Sequence, residues 1–212
     1  MANYHPSDEL LMSFAAGQLP NALGIVAACH LETCQQCQAK VQMYELLGAK
    51  LIDAMPAISM SDDSLNNLLD RMDLEPTTVK LPEFTGDPRT PRPLRRFMPE
   101  YFDQLTWRGF TSGIKEYILP FSDDTYTAKF YKISAGKELP IHTHKGNEFT
   151  LVMEGSFSDN AGDYHLGDFI LADTQTIHQP KAAIDCDCIC FAVVDAPLKM
   201  TGFFGRMLNP FL

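Results

Sequence analysis

A chain of 212 residues with 45% hydrophobic content carries enough apolar side chains for one large core or two small ones, which excludes wholesale disorder. Its formal net charge of −10 disfavours direct contact with nucleic acid and suits a basic protein partner. No apolar run approaches the roughly 20 residues that cross a bilayer, and the opening MANYHPSDELL lacks the basic-then-apolar pattern of a secretion leader. The expected setting is therefore the cytoplasm, with no membrane partner.

The first 80 residues read as helical. Ser7 is placed to cap a helix that opens with Asp8 and Glu9 at the positive end of its dipole. Leu10, Leu11, Phe14 and Ala15 give it an apolar face, and Gly17 and Pro20 end it. A second helix is expected from residue 22 to residue 30, with Leu23, Val26 and Ala27 inward. A third is expected from 34 to 54, with Val41, Tyr44, Leu47, Leu51 and Ile52 as core and Pro56 as its stop. Ser61 or Asp62 caps a fourth, whose stripe of Leu65, Leu68, Leu69 and Met72 is a candidate partner-binding face.

The chemistry of this segment sits at the start of the third helix, where His30 is followed after three residues by Cys34 and after two more by Cys37. Two cysteines at a helix N-terminus bring two sulfurs to one ion and favour thiolate. A tetrahedral zinc site needs a fourth donor beside His30. His5 is the candidate, because Cys29, the other cysteine here, adjoins His30. Two thiolates and two neutral imidazoles neutralise Zn²⁺, and a metal supplies stability that so small a helical unit lacks. A redox Cys-x-x-Cys or two plainly buried cysteines are the competing readings; the first is disfavoured because no βαβ pattern surrounds the motif. An early His before His-x3-Cys-x2-Cys resembles the zinc-binding anti-sigma domain. A DNA-binding finger is disfavoured, since no second Cys/His pair stands at finger spacing.

Residues 81–99 hold Pro82, Pro88, Pro91, Pro93 and Pro99, a density that forbids regular helix and central strand and marks a linker. Its Arg89, Arg92, Arg95 and Arg96 are expected to be solvated or paired within the chain, for instance with Asp62, Asp63, Asp70, Asp73 and Glu75. From residue 100 onward, short apolar or alternating runs are separated by Gly, Pro, Asn and Asp. The six main ones cover residues 107–110, 114–119, 126–133, 149–154, 169–171 and 189–194. Asp159 to Gly162 reads as a hairpin turn. Cys186, Cys188 and Cys190 alternate and are read as small buried hydrophobes. His165 is read as a surface residue, while Glu154 and Asp168 are left undecided.

Within GKELPIHTHKGNEFTLVMEG, residues 136–155, His142 and His144 point to the same face of a strand. Glu148 follows the turn at Lys145-Gly146-Asn147, and His178 follows a later strand and a polar turn. Imidazoles with one carboxylate suit a divalent first-row ion such as zinc, manganese, iron or nickel. The spacing of Gly136, His142, His144, Glu148 and Gly155 resembles the first cupin motif. Gly167 and His178 resemble the second, in which Asp173, Gln175 and Ala182 replace the family's Pro, Gly and Asn.

The fold class expected is multidomain α + β: a small zinc-binding helical bundle (1–80), a proline-rich linker (81–99) and an all-β cupin barrel (100–212). Together the halves resemble the ChrR-type anti-sigma factors. That resemblance implies a zinc domain that grips an extracytoplasmic-function sigma factor. It also implies a metal-binding cupin needed for the response to singlet oxygen or organic hydroperoxide. Coupling the two requires a shared two-state element, for which the proline stretch is the expected hinge. The alternative is a metal-dependent cupin enzyme of dioxygenase type with an accessory zinc-binding N-terminus. A third reading makes Cys34 and Cys37 the sensor, oxidised with loss of zinc.

Overall fold

A computed structural model describes residues 2–72, 84–98, 101–122 and 125–200. Four helices come first: α1 (Asp8–Ala15), α2 (Asn21–Leu31), α3 (Gln35–Asp53) and α4 (Ser64–Met72). Twelve strands follow. They are β1 (Arg108–Thr111), β2 (Ile114–Ser122), β3 (Thr127–Ile133), β4 (His142–His144), β5 (Glu148–Glu154), β6 (Ser156–Ser158), β7 (Asp163–His165), β8 (Phe169–Ala172), β9 (Ile177–His178), β10 (Lys181–Ala182), β11 (Cys188–Val194) and β12 (Leu198–Met200). The capping expected for α1 is present: Leu10 N–H donates to Ser7 Oγ at 3.3 Å.

All strand pairings are antiparallel, in a six-stranded sheet of order β1-β2-β3-β11-β5-β8 and two three-stranded sheets, β10-β6-β7 and β12-β4-β9. The six main runs expected from the sequence form the six-stranded sheet. Its middle strand, β11, is buried at every residue. Cys188, Cys190 and Ala192 face the barrel interior with Tyr131, Ile133 and Val152. Ile189, Phe191 and Val193 face the other way, with Phe130 of β3 and Phe149, Leu151 and Met153 of β5.

That outer face is closed by α2. Ala22, Leu23, Ile25, Val26 and Cys29 join the same core, as do Leu94, Met98 and Phe102. The helix is apolar around its whole circumference, which is the pattern of a helix buried on all sides. Thus α2 shares a core with the sheet, whereas Leu11 of α1, Leu31, Cys34, Cys37 and Val41 form a smaller cluster of their own.

Three expectations are corrected. In α3 only Cys37 and Val41 are buried, whereas Leu47, Leu51 and Ile52 are exposed. The reason is length: α1 packs against α3, but eight residues span about 12 Å and cannot cover the roughly 28 Å of a nineteen-residue helix. Second, β11 begins at Cys188, so Cys186 precedes it and is exposed; only Cys188 and Cys190 are buried, with sulfurs 3.7 Å apart.

Third, residues 84–98 are no free hinge. Leu94, Met98, Asp87 and Thr90 are buried. The Asp87 carboxylate accepts from Arg89 N–H and Nε–H, both at 2.9 Å, and from Phe102 N–H at 3.4 Å. Arg89 also pairs with Glu154 at the end of β5, and Arg92 with Glu32 beside α2. Arg95 and Arg96 lie over the rings of Phe84 and Phe97. Among the described residues the arginines are paired within the chain through these partners. Asp73, Glu75, Pro82, Pro99 and the expected boundaries at 80 and 99 lie outside the described residues.

Candidate metal centres

The first cluster gathers His5, His30, Cys34 and Cys37, with one donor atom from each lying within 4.8 Å of the others. Cys34 is the N-cap of α3 and Cys37 stands in its first turn, so both sulfurs crowd the positive end of the helix. His30 sits in the last turn of α2, and Cys34 N–H donates to the His30 carbonyl at 3.1 Å, folding the two helices together. His5 Nδ1 lies 3.4 Å from Cys34 Sγ and 3.5 Å from Cys37 Sγ, and His30 Nε2 lies 3.3 Å from Cys37 Sγ. Donors around a tetrahedral zinc, with bonds of about 2.0–2.3 Å, stand about 3.3–3.8 Å apart. The cluster is thus built to hold a divalent ion, and its donor set is the one zinc takes.

Electrostatics agree. Burial holds His30 below the ordinary imidazole range, so the ring is neutral, as a ligand must be. His30 Nδ1 donates to the Gly167 carbonyl at 2.9 Å, which aims Nε2 at the sulfurs. Burial, with Cys34 beside it, pushes the Cys37 thiol up to about 12. Only a cation displaces that proton at neutral pH, so metal binding and proton release are linked.

The second cluster lies inside the barrel. His142 and His144 share a face of β4, and His142 is the register partner of His178 on β9. His142 Nε2 is 3.0 Å and His144 Nε2 is 3.1 Å from His178 Nε2. His142 Nδ1 donates to the Pro140 carbonyl at 2.9 Å, and His178 Nδ1 donates to Asp159 Oδ2 at 2.8 Å. With those protons on Nδ1, the two Nε2 lone pairs face each other, an arrangement that only a shared cation or an added proton relieves. Burial lowers His142 and His144 to about 4, so protons do not fill that role at neutral pH.

Glu148 stands at the edge of this trio and is outside the tight three-nitrogen group. One carboxylate oxygen accepts from Thr150 Oγ1 at 3.0 Å; the other lies 3.8 Å from His144 Nδ1. That second oxygen and the Tyr131 hydroxyl are buried without a hydrogen-bond partner among the described residues. Both line a cavity of about 40 Å³ with His142, His178 and Cys190. An orphaned carboxylate oxygen beside three imidazole rings fits a divalent ion.

Two further residues support these centres. The sequence marks Asp159 only as a turn residue. Its Oδ1 does accept from Ala161 N–H at 2.8 Å, but its Oδ2 orients His178. Asp168, left undecided, is fully buried and ties the N-terminal strap to the barrel. Asp173, which replaces the family's proline, accepts from Gln175 N–H at 2.9 Å and Thr176 N–H at 3.0 Å and so closes the turn before His178. Leu65, Leu68, Leu69 and Met72 of α4 are 63%, 53%, 47% and 70% exposed and touch neither cluster.

Residues 100–196 match the family described as the ChrR cupin-like domain. The anti-sigma-E factor ChrR of Cereibacter sphaeroides is 33% identical over 208 residues, which is 98% of this chain and 97% of that protein. The chain belongs to the ChrR family of anti-sigma factors. A crystal structure of Rhodobacter sphaeroides SigE in complex with the anti-sigma ChrR holds a chain of the same architecture, with a TM-score of 0.80 at 32% identity over 92% of this chain and 100% of that one. The likeness to ChrR spans the helical part with its His/Cys cluster as well as the barrel. No described helix is long and apolar enough to cross a membrane.

Proposed function

We propose that this chain is an anti-sigma factor, which sequesters an extracytoplasmic-function sigma factor in the cytoplasm and releases it under oxidative stress. The observation that carries the reading is its likeness along 98% of its length to a ChrR anti-sigma factor. The physical surface suits the role. Met43, Leu46, Leu47, Leu51 and Ile52 of α3 and the α4 stripe are exposed. Such unpartnered apolar faces dock amphipathic helices of another protein. Net charge of −10 adds electrostatic steering toward a basic partner.

In this reading His5, His30, Cys34 and Cys37 hold zinc, which sets the angle between α2 and α3 and the path of α1. His142, His144 and His178, completed by Glu148, hold a second divalent ion as part of the sensor for singlet oxygen or organic hydroperoxide. That ion would supply redox or Lewis-acid chemistry for sensing; the chain supplies the imidazoles, their orientation and an apolar barrel wall around them. The dioxygenase alternative gives way, because the relative matched along 98% of this chain is an anti-sigma factor.

The test is co-expression with the cognate sigma factor. A one-to-one complex that blocks sigma-dependent transcription is expected. Cys34→Ala with Cys37→Ala should lose zinc and the complex together. Leu65→Asp with Leu69→Asp should weaken the complex by a hundredfold or more while leaving zinc content and melting temperature unchanged, since α4 buries no residue. Retention of inhibition by the cysteine pair variant would overturn the reading.

A further inference from the structure

We propose that Asp168 is a positioning residue for the N-terminal zinc site, and that one turn of the barrel, 165–169, holds two of its four ligands. The inference rests on the zinc reading above. Asp168 is fully buried, and no Lys or Arg side chain pairs with it among the described residues. Its charge is met instead by three backbone donors. Oδ1 accepts from Asn3 N–H at 2.5 Å and Tyr4 N–H at 3.1 Å, and Oδ2 accepts from His165 N–H at 2.8 Å. A buried carboxylate on backbone N–H groups alone ties the segments that bring those groups together, here the N-terminal strap and the 165–169 turn.

The strap is held at its other backbone group too. Phe169 N–H donates to the Tyr4 carbonyl at 3.0 Å, and the Tyr4 ring packs on Tyr164 with centroids 4.7 Å apart. His5 is the next residue. Pro6 and the Ser7 cap of α1 follow, so the backbone on either side of His5 is fixed, on one side by the barrel and on the other by α1. The same turn reaches the second imidazole. The Gly167 carbonyl takes the His30 Nδ1 proton, and the Phe169 ring meets the His30 ring edge-on at 5.7 Å. His5 and His30 come from segments 25 residues apart in sequence, yet both are oriented by five consecutive residues of the barrel. Cys34 and Cys37 come from the N-cap and first turn of α3.

The experiment uses the full-length chain. Cobalt replaces zinc, because a thiolate-to-cobalt absorption band reports the His/Cys site and not the barrel site of His142, His144, His178 and Glu148; affinity is read by chelator competition. Asp168→Asn keeps size but removes the charge and sets an amide donor against N–H groups. Asn3→Pro leaves Asp168 in place and deletes one donor of the strap. Each variant should bind cobalt at the thiolate site at least tenfold more weakly, with barrel-site affinity within twofold of the parent. In a His5→Ala background, Asn3→Pro should add less than a twofold further loss, since the strap acts on the site through His5. Unchanged thiolate-site affinity in Asn3→Pro, with exchange protection at the Tyr4 amide lost, overturns the proposal. A further tenfold loss in the His5→Ala background does so as well, because it assigns the effect to general destabilisation. If His5→Ala and Cys37→Ala themselves leave the thiolate–cobalt band intact, it is the zinc assignment beneath the proposal that falls.

Discussion

Asp159 carries two tasks on one carboxylate. Oδ1 closes its own hairpin, accepting from Ala161 and Gly162 N–H, while Oδ2 takes the Nδ1 proton of His178 across 19 residues of sequence. The second bond fixes the tautomer that leaves Nε2 free for a metal and holds the ring in place. Removing such a partner usually costs about 10- to 100-fold in metal affinity. Asp159→Ala should therefore loosen the barrel ion by that factor, read by chelator competition, and leave the thiolate–cobalt band of the N-terminal site unmoved. Equal loss at both sites would mean that the hairpin, not His178, had been damaged. The role was hidden in the sequence for a physical reason. An aspartate opening a hairpin is fully explained by turn chemistry, and nothing local announces what its second oxygen faces. The same holds for Asp168, whose partners lie 165 and 164 residues away. The histidines were readable because alternate residues of a strand share a face, which is a local rule.

Segment 84–98 shows how an element can mislead by composition. Its prolines rightly exclude helix and central strand, but a chain without regular structure can still be pinned. Arg92–Leu94 form a single 3-10 turn, and Asp87 anchors the stretch beneath Phe102. The Arg89 guanidinium, followed by the Arg89 and Phe102 amides, holds the Asp87 carboxyl at about 2, below its unfolded value near 3.9. A depressed carboxylate contributes stability that is present above the unfolded value and lost as pH falls through the folded one, so the window is roughly pH 4 to 2. The clamp contributes on the order of 2 kcal/mol at neutral pH. In urea unfolding the parent should exceed Asp87→Asn by about that much at pH 7, and the gap should close as pH approaches 2. A gap independent of pH would show that the ion pair is not its source. Among the other elements, the six long strands were readable from their apolar runs, whereas two- and three-residue strands such as β9 and β10 are too short to display a period. The α2 sequence and the unbroken CICFAVV of β11 both carried the mark of burial on two sides. They are the two halves of one contact, and neither half names the other.

At the scale of the whole molecule, that contact changes how a signal can travel. A hinge would let the barrel and the N-terminal helices move independently. Here α2 lies against the outer face of the sheet whose inner face carries Glu148, and the turn that opens β8 bonds to His30 and to the His5 strap. A strand shift inside the barrel is then felt at α2 and at the His/Cys cluster through packed side chains, with β5 and β8 as the shared layer: Glu148 pairs with Ala172 and Leu151 with Phe169. Interiors packed at crystal-like density transmit such displacements rather than absorb them. The core that α2 shares with the sheet predicts one unfolding transition for helices and barrel. Leu23 of α2 is buried in that core, and Leu23→Ala should cost roughly 3 kcal/mol. The loss should appear equally in Trp107 fluorescence, which reports the barrel, and in thiolate–cobalt absorption, which reports the helices. The two denaturation curves should coincide in the parent and shift together in the variant, and stripping the N-terminal ion should lower the midpoint seen by Trp107. Two separate transitions, with the barrel midpoint indifferent to both the substitution and the metal, would restore the picture of two bodies on a tether and remove the direct route by which the barrel could govern the grip on a sigma factor.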